Sequence, residues 1–222
     1  MVGKWCYFSD KGNLLEAGTY INGIKEGEWI KYHENGAISI KNTYKTGVIL
    51  DGPIETFYSN GQLRYKGFIK DGTYDSSWVE YHENGQAKAE GRYFEGMKAG
   101  LWNVYKEDGT LTESAYWYGE IKRGTCKYYY PNGNMHSTGS YYQDTLDGAW
   151  NYFWENGKAR RTMVWLKGKL HSCMHCFDEQ GQKLNCGNIV QGNGTLFNYN
   201  KDGTLESTET YKNGQRVSTT KN

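Results

Sequence analysis

Residues 27–47, GEWIKYHENGAISIKNTYKTG, decide the fold. Asn35-Gly36 stands between two runs in which apolar and polar residues alternate. That arrangement predicts a β-hairpin closed by a two-residue type I′ turn, whose central residues need positive φ. The pattern returns at residues 76–96, SSWVEYHENGQAKAEGRYFEG. Marked by its turn glycine, it occurs nine times, at Gly12, Gly36, Gly61, Gly85, Gly109, Gly133, Gly157, Gly181 and Gly203. Successive spacings are 24, 25, 24, 24, 24, 24, 24 and 22 residues, the signature of a repeat array. With the glycine as position 0, position −1 is Asn or Asp in seven of the nine copies.

A two-residue turn would set −4 opposite +3 and −7 opposite +6. Position −7 is mostly bulky (Trp5, Trp29, Ile54, Trp78, Trp102, Cys126, Trp150, Met174, Leu196), and +6 is often glycine. Each large ring is therefore expected to cover the glycine across its own hairpin. Period-2 alternation puts the −7, +2 and +8 columns on the more buried face, and an aromatic column at −4, from Phe8 to Tyr199, on the other. An isolated hairpin is marginal in water, so stacked neighbours must make the fold. The expectation is all-β: one repeat domain spanning 1–222, an elongated, twisted, open array of about nine hairpins. With strands about 4.8 Å apart it would run on the order of 85 Å.

Composition narrows the function. The 26 Lys and Arg nearly balance 25 Asp and Glu, so no overall field attracts a phosphate backbone, and nucleic acid is not an expected partner. Runs of about 18 apolar residues, which a membrane-crossing helix needs, do not occur. The chain as given reads as cytoplasmic, or as an envelope or secreted protein if a leader was trimmed ahead of Met1. Five cysteines at positions off the repeat period argue against a disulfide framework. Glycines at turn positions do not form a phosphate loop, and no catalytic constellation stands out, so no enzyme activity and no cofactor are expected. His33 and His82 share position −3 and read as solvated residues beside the turn.

The unit G-x-W-x-x-Y-x-E-N-G-x-x-x-x-x-G-x-Y-x-x-G, seen at 27–47 and 76–96, resembles the variant MORN repeat over essentially the whole chain. Bacterial proteins built this way are commonly classed as antitoxins of the YwqK type. The resemblance therefore implies a protein-binding scaffold that neutralises a toxin by direct contact. Cys126 and Met174 depart from the usual tryptophan, and Lys183 occupies an otherwise apolar column. A second reading is an envelope module whose aromatic rows bind glycan or lipid headgroups, and a third is an architectural spacer using its edge strands.

Deviations from the columns mark candidate sites. Two consecutive units carry Tyr128 with Tyr130 and Tyr152 with Trp154, which should form one aromatic patch flanked by Trp165, Arg160 and Arg161. Tyr, Trp and Arg are the residues that dominate interface hot spots, so these seven are the candidate partner site. Cys173, His175 and Cys186 are a weaker candidate for a metal, because a two-residue turn would set His175 opposite Cys186.

Overall fold

The computed structural model describes residues 2–222, and among them it contains twenty β-strands and no helix. The chain divides into two compact units, Met1–Gly109 and Thr110–Asn222. The first holds β1 (Val2–Phe8), β2 (Leu14–Ile21), β3 (Ile24–Tyr32), β4 (Ile38–Lys45), β5 (Val48–Ile49), β6 (Gly52–Phe57), β7 (Leu63–Lys70), β8 (Thr73–Tyr81), β9 (Ala87–Phe94) and β10 (Met97–Tyr105). These pair antiparallel in chain order, except that β5 and β6 both pair with β4. The second unit holds β11 (Leu111–Tyr118), β12 (Ile121–Tyr129), β13 (Met135–Tyr142), β14 (Thr145–Phe153), β15 (Ala159–Leu166), β16 (Lys169–Phe177) and β17 (Lys183–Leu184), again antiparallel in order. A three-stranded sheet of β18 (Gly194–Tyr199), β19 (Leu205–Lys212) and β20 (Gln215–Lys221) follows.

The Asn-Gly turns differ from the expected type. Of Asn35 and Gly36 only the glycine has positive φ, at 84°. The His33 N–H donates to the Ala37 carbonyl at 2.8 Å, which closes a three-residue loop with glycine in the left-handed position. Asparagine is used there for its side chain, because its Oδ1 accepts the Ala37 N–H at 3.1 Å as an Asx turn. The longer loop sets Tyr32 opposite Ile38, and a bulge at Ser39 then sets Lys31 opposite Ile40 and Trp29 opposite Asn42. The same step recurs in seven hairpins. The −7 to +6 register thus holds because the extra loop residue and the bulge cancel. Type I′ turns occur instead at the opposite end, as at Asn22-Gly23, with φ of 51° and 79° between paired Ile21 and Ile24.

The tryptophans also pack differently from expectation. Trp29 folds back over Gly18 of the preceding hairpin, so close that a Cβ there would lie 2.1 Å from its ring. Trp78 covers Gly67, Trp102 covers Gly91 and Trp150 covers Gly139 in the same way. The indole N–H then reaches a carbonyl of that preceding strand: Trp29 to Thr19 at 3.2 Å, Trp150 to Ser140 at 3.0 Å. Folding back needs a left-handed residue two positions earlier, supplied by Gly27 at φ 71° and Gly148 at φ 75°. The ring therefore rivets one hairpin to the next instead of covering its own. Trp29, Ile54, Trp78, Trp102, Cys126, Trp150 and Leu196 are all buried, as their column predicts. Trp5, 60 % exposed, and Met174 are the exceptions.

Candidate functional site

Position −3 closes the three-residue loop, and its side chain reaches forward to the next hairpin. His33 Nε2 lies 2.9 Å from the Phe57 carbonyl, Tyr58 Oη donates to Tyr81 at 2.7 Å, and His82 Nε2 lies 3.0 Å from the Tyr105 carbonyl. In the second unit Tyr130 Oη donates to Phe153 at 2.8 Å and Trp154 Nε1 to Phe177 at 2.9 Å. Asparagines at −1 run a parallel ladder, with Nδ2 of Asn35, Asn60, Asn84, Asn132 and Asn156 donating to carbonyls of Ser59, Glu83, Glu107, Glu155 and Glu179. His33 and His82 are therefore ladder members and not merely solvated flanks. Any −3 residue with an N–H or O–H donor can serve, which is why His, Tyr and Trp interchange there.

The seven sequence-selected residues all lie in the second unit, but in three settings. Tyr128 stacks on Trp150 at 6.3 Å, and its hydroxyl lies 3.2 Å from that of Tyr141. Lys122 Nζ sits 2.7 Å from Glu113 and between 5.2 and 5.7 Å from the ring centroids of Trp117, Tyr128 and Tyr141. Burial, then the Tyr141 hydrogen bond, pushes the Tyr128 phenol far up. Tyr130 meets His136 edge-on at 4.8 Å, and Arg160 lies 4.3 Å over Trp154, itself only 5 % exposed. Tyr152 and Trp165 pack against both cores of the unit, Ala115–Cys126–Trp150 and Met163–Leu170–Ile189–Leu196. Arg161 is buried and donates to Asn198 Oδ1 at 2.8 Å. These rings are neighbours, yet most are half-buried or buried and engaged within the fold.

The column at +9, just ahead of the two-residue turns, holds a further set of exposed side chains. In the second unit it presents Tyr118, 72 % exposed, Tyr142, Leu166 and Val190, 68 % exposed. Successive turns there are hydrogen-bonded, Asp144 N–H to Lys122, Gly168 N–H to Leu146 and Gly192 N–H to His171, at 2.9 to 3.2 Å. The four side chains thus form one row, spaced by two strands, about 10 Å. The signal was available, since +9 is lysine in three other units, Lys45, Lys70 and Lys212.

Five segments, residues 1–22, 25–46, 50–71, 122–144 and 193–213, match the family model described as MORN repeat variant. This is a MORN-repeat protein. A comparison with curated proteins returned no match. The MORN repeats of Gly85 and Gly157, outside those segments, keep the same pairing, bulge and ladder.

The most divergent MORN repeat, that of Gly181, lacks the bulge, and its pairing runs straight from Phe177–Lys183 to Cys176–Leu184. His175 pairs back with Thr162 and is exposed, so it does not face Cys186. A register shift skips Met174 and turns Cys173 and Cys176 toward each other, 3.7 Å apart at sulfur. Although the cysteine positions argue against a disulfide framework, Cys176 is bonded to Cys186, while Cys6, Cys126 and Cys173 are free. The sulfur cluster is therefore Cys173, Cys176 and Cys186, without the histidine.

Proposed function

We propose that this MORN-repeat protein is a non-enzymatic binding scaffold that holds a protein partner on the row Tyr118, Tyr142, Leu166 and Val190. We further propose that the partner is a toxin whose activity it blocks. The exposed apolar row carries the reading: four large side chains stand on hydrogen-bonded turns, and rowed apolar surface of this kind marks interaction sites. Rigid turns lose little conformational freedom on binding. The absence of catalytic work is supported by the turn-end polar side chains, whose donors are taken up between repeats.

The double variant Tyr118→Ser, Leu166→Ser tests this. Protein partners are captured from the native host on the wild-type chain and co-expressed with it to score rescue of growth. Rescue by wild type, lost in the double variant at unchanged thermal melting, supports the reading. Recovery of polysaccharide or lipid alone, or rescue indifferent to the two substitutions, discards it.

A further inference from the structure

We propose that, once the Cys176–Cys186 disulfide is reduced, Cys173, Cys176 and Cys186 bind one soft metal ion through three thiolates. Their sulfurs lie within 4.8 Å of one another, and Cys173 to Cys176 is 3.7 Å. Tetrahedral thiolate sites with metal–sulfur bonds of about 2.3 Å hold neighbouring sulfurs about 3.8 Å apart. The spacing is built by the backbone. Skipping Met174 brings two cysteines three residues apart onto one side of β16, and the Cys176–Cys186 Cα separation of 5.4 Å brings the third to them.

Chemistry and charge agree with that geometry. An all-sulfur donor set selects soft ions such as Zn(II) or Cu(I) over Mg(II) or Ca(II). Cys176 is buried and the other two are half-buried, which limits competition from water. Three thiolates around a divalent ion leave one negative charge, and buried Arg161, directly across from Cys176, supplies the balancing positive one. Reduction takes two electrons and two protons from a thiol reductant of the glutathione class, which leaves as its own disulfide. Binding then displaces one proton from each of the three thiols. The oxidised chain, with two sulfurs joined, has no such site, so binding is gated by redox state.

The full-length chain, reduced with a phosphine and freed of oxygen, is titrated with Co(II) and then Zn(II). One thiolate-to-cobalt charge-transfer band saturating at one equivalent, and displaced by zinc, is expected. Cys173→Ser, Cys176→Ser and Cys186→Ser should each weaken binding at least tenfold, with Cys6→Ser and Cys126→Ser unchanged. Cys173→Ser leaves the disulfide pair intact, so its circular dichroism separates lost ligation from lost folding. A chain with all five thiols free by thiol count that shows no band overturns the proposal. So does binding that is equal in the oxidised protein or in folded Cys173→Ser.

Discussion

The indole of Trp150 covers Gly139 of the preceding hairpin, although the residue directly across from it in its own hairpin is Met163. A Cβ at Gly139 would lie 2.3 Å from that ring. Gly139→Ala should therefore destabilise the second unit by about 1–3 kcal/mol through overpacking. Gly133→Ala, with nothing within 4 Å but a φ of 83°, should cost roughly 1–2 kcal/mol through backbone strain alone. A urea-denaturation cycle separates the causes. Trp150→Leu should couple strongly to Gly139→Ala and be additive with Gly133→Ala.

Asn132 serves its own turn and the next one, with Oδ1 accepting from Asn134 N–H at 3.0 Å and Nδ2 donating to Glu155 at 2.8 Å. Asn132→Asp keeps the first bond and loses the second, for an expected loss of about 1 kcal/mol. Asn132→Ala loses both and should lower the urea midpoint further. Equal midpoints for the two variants would show that the turn bond from Asn134 contributes nothing, and an Asn132→Asp midpoint equal to wild type would show that the forward bond contributes nothing.

Tyr211 is held protonated by burial and by its hydrogen bond to Glu209 at 2.9 Å, which raise its pKa to about 12. Tyr105, half-buried and bonded to Glu90, is likewise raised to about 12. A phenol whose pKa is higher folded than unfolded contributes stability that is complete below its unfolded value near 10. That contribution is lost as pH rises from about 10 to about 12. Melting temperature should fall across that window, and tyrosinate absorbance should titrate later in the native than in the urea-unfolded chain. Tyr211→Phe should flatten part of the fall.

Arg161 is buried and Asn198 Oδ1 is its hydrogen-bond acceptor. Asn198→Ala should cost about 1.5–3 kcal/mol by leaving a buried charge short of a partner. Replacing the arginine as well, in Arg161→Met with Asn198→Ala, should recover part of that loss, because no charge is then left in the interior. Thermal melts of the two single variants and the double measure the coupling.

The −7 and +8 columns were legible because alternation along a strand is a local code, but the +2 column was not, since the bulge leaves it paired with the −4 column on the other face. The turn was not, since Asn-Gly suits both a two-residue loop and a three-residue loop with left-handed glycine. What accompanies the longer loop is the asparagine amide, whose carbonyl partner lies 23 or 24 residues away. The backward fold of Trp29 had a sign in Gly27, two positions ahead of it. Tyr130 and Trp154 looked like surplus aromatics until His33, Tyr58 and His82 are seen to make the same forward bond. His175 was misplaced because this repeat has the longer loop without the cancelling bulge, so Cys176 meets Leu184 and the register toward Cys186 is shifted by one.

The forward-reaching side chains give the stack a polarity with a genetic consequence. A unit such as that of Gly61, Gly85 or Gly157 brings two forward donors, at −3 and −1, and two receiving carbonyls, so a tandem duplication of such a segment leaves the tally of donors and acceptors balanced. A frame-preserving loss of one or two codons inside a unit would instead misalign the contacts on both sides of it. Chains of this construction can grow or shrink by entire modules while their internal spacing stays fixed.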